Sequence, residues 1–223
     1  MRRTRVTALC AASFLSYLRA KDNEMNIAVV KYNAGNIRSV LNALERLGVT
    51  ANLTDNPDEL RNADKVIFPG QGEASTTMAH LRQTGLAQVI RSLRNPVLGI
   101  CVGMQLLCAH SEEGDVDCLG VFDAPVKRFP IPQPNPLNLK VPQMGWNSIH
   151  DIRQPLFSAD MEGAYVYCIH SFYVPVCQHT IATSTHTVQY SNALRRDNFF
   201  ATQFHPEKSG SVGEKILRNF IEL

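Results

Sequence analysis

Cys101 stands between two glycines, in Gly99-Ile100-Cys101-Val102-Gly103, where the apolar run 96–98 meets the helix-like segment Met104-Gln105-Leu106-Leu107. A reactive side chain at a sharp strand-to-helix turn is the layout of a nucleophile elbow. Its flanks must be small because the backbone passes close to itself there. At a helix N-terminus, unpaired N–H groups and the helix dipole favour a thiolate. The same N–H groups can stabilise the oxyanion formed when a thiolate attacks a carbonyl. Taken alone, the motif fits a buried, inert cysteine equally well.

A second motif, Gln203-Phe204-His205-Pro206-Glu207, follows the apolar stretch 198–202, which reads as a strand. Residues i and i+2 of a strand face the same side. His205 and Glu207 are therefore expected to lie together, with the carboxylate orienting the imidazole. Read singly, one is a hydrogen-bonded loop histidine and the other a solvated charge. Read with Cys101, they complete a nucleophilic set.

The elements that must position these groups begin at residue 26. Strand-like segments at 26–30, 49–53, 65–68 and 96–100 alternate with amphipathic segments at 36–47, 78–93 and 102–110. A short helix opens at Asn56-Pro57, and Gly85 is expected to break 78–93. Such alternation argues for an α/β fold, a doubly wound and mostly parallel sheet. Ligands bind such sheets at the carboxyl ends of the strands. Cys101, the loop 69–72 and the loop 32–36 all fall there. The second half reads as short strands at 121–129, 138–140, 165–169, 172–176, 180–185 and 187–190. These should add antiparallel strands to the sheet or build a side layer. A helix at 211–223 closes the chain.

The chain of 223 residues suits one medium domain. Net charge is +2, but residues 1–24 carry five basic against two acidic residues, so the rest is near neutral. Without a basic stripe, nucleic acid is not an expected partner. Six cysteines form no C-x-x-C pair and no zinc-finger spacing, so neither a metal nor a cofactor is expected. A catalytic thiol fits a reducing, cytoplasmic compartment, and Cys108, Cys118, Cys168 and Cys177 read as free thiols. Three arginines ahead of the apolar run 6–15 resemble a signal peptide superficially. That run is shorter than the roughly 20 apolar residues of a membrane span, so no membrane association is expected. The functional domain is read as 25–223, with 1–24 an upstream extension outside the fold; a cleaved leader is the alternative.

With Cys101, His205 and Glu207 in place, the chain resembles the class I (triad) glutamine amidotransferases. Gly-Ile-Cys-Val-Gly-Met-Gln and Gln-Phe-His-Pro-Glu-Lys-Ser are similar to that family's signatures. Tyr32-Asn33-Ala34-Gly35-Asn36, Pro69-Gly70-Gln71-Gly72, Val141 to Asn147 and Ile169-His170-Ser171-Phe172 resemble its branch of imidazole glycerol phosphate synthase glutaminase subunits. The likeness runs in order from Met25 to Leu223 and implies a flavodoxin-like fold. Three positions depart from the pattern: Gln71 where Val is usual, Val102 where Leu is usual, and Gln143 where His is usual.

The resemblance implies hydrolysis of glutamine through a thioester on Cys101. His205 would act as acid and then base, held by Glu207. The Val102 N–H and one from Gly70, Gln71 or Gly72 would meet the oxyanion. Flipping of that glycine-rich loop would make the hole switchable and the free subunit slow. Gln105, Gly72, Ser171 and Tyr167 are the implied glutamine-binding residues, although Gln105 alone also reads as a helix-surface polar residue. The implied partner is a cyclase subunit with a TIM-barrel fold, forming a heterodimer. It receives the ammonia and makes imidazole glycerol phosphate and the AICAR by-product of histidine biosynthesis. Asn36, Met144, Trp146, Asn147 and Lys208 would form the docking face. Trp146, in a glycine-flanked loop, reads either as an interface anchor or as a cap on the local core. Other readings are a different class I glutaminase, a stand-alone γ-glutamyl hydrolase or peptidase, and a non-catalytic module.

Overall fold

The computed structural model describes residues 25–32, 37–70, 72–136 and 138–223. The expectations for residues 1–24, Asn36 and Gln71 lie outside them. Ile27-Ala28-Val29-Val30 is apolar throughout and buried throughout, as β1 (Ile27–Val30). A strand with no polar side must be covered on both faces, as in parallel sheets flanked by helices. β3 (Lys65–Phe68) and β4 (Val97–Ile100) are buried along their length in the same way. With β2 (Ala51–Thr54) and β13 (Phe199–Thr202) they run parallel in the order β13-β4-β3-β1-β2. The flanking helices are α1 (Ile37–Arg46), α2 (Pro57–Asn62), α3 (Ala74–Gln83), α4 (Leu86–Ser92), α5 (Val102–Leu106) and α6 (Gly210–Ile221). Leu44, Leu60, Leu81, Ile90 and Phe220 bury their apolar faces with the strands in one core cluster.

Local chemistry sets several boundaries. Asn56 accepts from the N–H groups of Asp58 and Glu59, and Pro57 sits in the first turn, so α2 starts as expected. Glu73 accepts from the Thr76 N–H, which starts α3 at Ala74 rather than at 78. Gly85, with φ 77°, separates α3 from α4.

Both alternatives for the second half occur. β12 (Gln189–Arg196) and β11 (Thr180–Thr185) extend the main sheet antiparallel beyond β13. A side sheet runs β10 (Phe172–Tyr173), β7 (Pro125–Arg128), β5 (His110–Ser111), β6 (Val116–Asp117), and β8 (Gln143–Ser148) pairs with β9 (Tyr165–His170) as a ribbon.

Several segments differ from the sequence reading. The helix expected over 102–110 ends at Leu106, because the carbonyls of Leu106, Leu107 and Cys108 accept from the N–H groups of Leu119, Val121 and Gly120 instead. The segment 138–140 is not a strand, since the Asn135 side chain binds both backbone groups of Leu139. The strand expected over 121–129 is confined to Pro125–Arg128, that over 172–176 to Phe172–Tyr173, and of 187–190 only Gln189 and Tyr190 are strand, as the start of β12. Trp146 does not sit in a loop: Met144 to Asn147 belong to β8, with Gly145 at φ 128° opposite Cys168.

Candidate active site

The register of β4 on β13 brings the two sequence motifs together. Ile100 lies opposite Thr202, and the Cys101 N–H donates to the Thr202 carbonyl at 2.7 Å. Cys101 adopts φ 53°, ψ −112°, a strained turn between β4 and α5. Two glycines make that turn possible. A Cβ on Gly70 would lie 1.9 Å from the Gly103 nitrogen, and one on Gly103 would lie 2.2 Å from the Phe68 carbonyl oxygen. Gly70 therefore packs directly on the elbow backbone.

His205 and Glu207 do meet, but not as strand neighbours. β13 ends at Thr202, and a single 3₁₀ turn, Pro206–Lys208, folds Glu207 back on the histidine. Glu207 Oε1 lies 2.8 Å from His205 Nδ1, and the two side chains are 1% and 2% exposed. The His205 N–H donates to the Tyr167 carbonyl, and Ser209 donates to the His205 carbonyl, which fixes the backbone on both sides. Burial by itself lowers the His205 pKa. Hydrogen bonds to Cys101 and Glu207, and the negative charge of both, outweigh it and raise the value to about 10. The imidazole is thus held as a cation beside the sulfur at neutral pH.

Cys101 opens into a cavity of about 210 Å³. Gly72, Val102, Gln105 and Ser171 line it; Tyr167 does not. Gln105 is buried rather than on a helix surface, and its Nε2 donates to the Phe172 carbonyl and to Gln203 Oε1. Two lining groups escaped the sequence reading. Glu113 brings a carboxylate to the wall, where its Oε2 accepts from the Ala74 N–H at 2.9 Å. Burial raises its pKa, and the Ala74 N–H only partly offsets this. Its signal was the acidic turn Ser111-Glu112-Glu113-Gly114, a dozen residues after the cysteine. His170, buried between Phe129 and Tyr190, also borders the cavity.

Outside the cavity, Met144, Trp146 and Tyr165 are exposed on the β8–β9 ribbon, at 65%, 57% and 62%. The Tyr167 ring stands 6.0 Å from that of Trp146, and Lys208 Nζ lies 6.0 Å above Tyr167. Asn147 donates to the Thr185 carbonyl beside them. Among the described residues, no group of three or more His, Cys, Asp or Glu side chains could hold a metal ion, and no helix is long and apolar enough to cross a membrane.

Residues 28–223 match the family model for "Glutamine amidotransferase class-I". The chain belongs to the class I glutamine amidotransferases. Within that family it is similar to the imidazole glycerol phosphate synthase subunit HisH of Bacteroides thetaiotaomicron, 59% identical over 89% of this chain and 100% of the relative. The HisH subunit of Idiomarina loihiensis is 44% identical over 89% of this chain and 98% of its own length. Two solved structures share the family fold at low identity. The crystal structure of a glutamine amidotransferase gives a TM-score of 0.66 at 21% identity, covering 87% of this chain and 97% of the other. PurLQS of Thermotoga maritima gives 0.63 at 15%, covering 89% and 98%.

Proposed function

We propose that residues 25–223 form the glutaminase of an imidazole glycerol phosphate synthase, with Cys101 as nucleophile. The observation that carries this reading is the buried Cys101–His205–Glu207 set, whose cysteine lines a cavity of about 210 Å³, room for a small amino acid. The thiolate attacks the side-chain amide carbon of glutamine. The tetrahedral oxyanion is met by the Val102 N–H and by a peptide N–H of the Gly70–Gly72 loop. Collapse breaks the C–N bond, His205 protonates the departing ammonia, and a thioester remains. His205 then takes a proton from water, which attacks the thioester and releases glutamate. Glu207 holds the imidazole throughout. Gln105, Gly72 and the backbone at Ser171 hold the substrate. Glu113, the carboxylate in the wall, faces the substrate's ammonium group.

Ammonia released into neutral water is protonated and loses its nucleophilicity, so a covered route to the next site is needed. The partner in this reading is a cyclase subunit with a TIM-barrel fold, and the similarity to subunits of imidazole glycerol phosphate synthase supports there being a partner. It docks over Met144, Trp146, Asn147 and Lys208. The pathway is histidine biosynthesis in the cytoplasm.

Glutamate release is measured with the chain alone, with a cyclase partner plus its nucleotide ligand, and with Cys101→Ala. Low activity alone, strong stimulation by the partner, and a loss of about a thousandfold or more in Cys101→Ala are expected. Equal rates with and without partner would move the protein to the stand-alone glutaminases.

A further inference from the structure

Gln203 has no part in the chemistry above, yet it is fully buried and its side chain reaches the reacting sulfur. Its Nε2 lies 3.8 Å from Cys101 Sγ, and the residue is 0% exposed. We infer that Gln203 is a further catalytic residue, whose amide N–H holds the Cys101 thiolate, and that Gln105 positions it through a relay anchored on the Phe172 carbonyl. The inference rests on the reading of Cys101 as nucleophile.

The orientation of the Gln203 amide follows from hydrogen-bond chemistry. A backbone carbonyl only accepts. The atom of Gln105 that faces the Phe172 oxygen at 3.1 Å must therefore be its amide nitrogen. That nitrogen also faces Gln203 at 3.0 Å, and both its protons are then engaged. The Gln203 atom facing it must be the carbonyl oxygen, which leaves Gln203 Nε2 on the sulfur side. Flipping the Gln203 amide would set nitrogen against nitrogen and oxygen against sulfur. The backbone is equally fixed, because the Gln203 N–H donates to the Asn192 carbonyl of β12.

The sulfur thus has two kinds of neighbour. As a thiol it donates to the Ile169 carbonyl at 3.9 Å. As a thiolate it gains nothing there and turns to its donors, His205 and Gln203. Gln203 favours the ionised form without carrying charge, so it leaves the His205–Glu207 pair free for proton transfer. The relay also defines what Gln105 can do for substrate. With both Nε2 protons used, its carbonyl oxygen is the only group it has for a ligand.

The test is the pH profile of Cys101 alkylation by iodoacetamide, read by mass spectrometry on the full chain. This probe needs neither glutamine nor a partner. Gln203→Leu is expected to raise the midpoint by about one pH unit, slowing alkylation about tenfold at pH values below the midpoint. Gln203→Glu turns an oxygen toward the sulfur and should shift the midpoint further the same way. Gln105→Met leaves the sulfur contact but frees Gln203, and a smaller shift of the same sign is expected. A purely structural Gln203 would lower the thermal midpoint and leave the pH midpoint in place. Midpoints for Gln203→Leu and Gln203→Glu equal to that of the unsubstituted chain would overturn the inference. If Gln203→Leu does not fold, Gln203→Glu and Gln105→Met, which keep side-chain volume, decide it. Failure of the underlying reading looks different: in the unsubstituted chain, Cys101 would be alkylated no faster than Cys108, Cys118, Cys168 and Cys177.

Discussion

His205 and His170 are both buried near Cys101, and their environments push them in opposite directions. His205 gains anionic partners in Glu207 and Cys101 and rises to about 10. His170 has its Nδ1–H on the Phe172 carbonyl at 2.7 Å and aromatic rings on its faces, and burial lowers it to about 4. The signs of their pH effects follow. The raised His205 contributes stability that is complete below about pH 6.5 and is lost as pH rises through about 10. The depressed His170 is neutral when folded, while the unfolded chain binds its proton below about pH 6.5. Stability is therefore lost as pH falls from about 6.5 to about 4, by roughly 3 kcal/mol from this one group. Urea unfolding between about pH 7 and pH 4.5 should show a shallower pH dependence for His170→Asn than for the parent. Asparagine keeps a donor for Phe172 and cannot titrate. Equal slopes would show that His170 charges freely in the folded state.

At the scale of elements, the elbow depends on backbone contact rather than on side-chain packing. Gly70→Ala places a methyl group within 1.9 Å of the Gly103 nitrogen, so β3 and α5 must separate. A loss of more than about 3 kcal/mol in denaturant unfolding is expected, beyond ordinary overpacking. Gly120→Ala is the control. Its φ is 66° with nothing within 4 Å of the new methyl, and only the left-handed strain of about 1–2 kcal/mol applies. A loss for Gly70→Ala no larger than that for Gly120→Ala would show that β3 and α5 do not need this close approach. The parallel strands and most helices were legible in the sequence because their periodicity and caps are local. The end of α5 was not, since the carbonyls of Leu106, Leu107 and Cys108 are satisfied from residues 119–122. β8 was missed because Gln143-Met144-Gly145-Trp146-Asn147-Ser148 shows no aliphatic alternation; its ladder with β9 makes it a strand.

Across the whole molecule, the exposed ribbon and the buried cavity are joined by β9. The strand begins at exposed Tyr165 and ends at Ile169 and His170, which border the Cys101 cavity. A partner seated on Trp146 would lie over the outer end of the strand whose inner end meets the nucleophile. Trp146→Ala should weaken cyclase binding about 30-fold, roughly 2 kcal/mol. At 57% exposure it should leave the thermal midpoint nearly unchanged. Unchanged affinity with a lowered midpoint would make Trp146 a cap on Tyr167 instead. The sequence by itself determined the fold class, the elbow and the identity of the Cys, His and carboxylate groups, because residue type and short spacing carry that information. Tertiary structure decided how they meet. Glu207 reaches His205 by a 3₁₀ turn rather than a strand, Glu113 enters the cavity from a distant hairpin, and Gln203 turns its nitrogen to the sulfur. The last two depend on contacts between segments far apart in the chain, Ala74 with Glu113 and Cys101 with Gln203, for which local spacing holds no record.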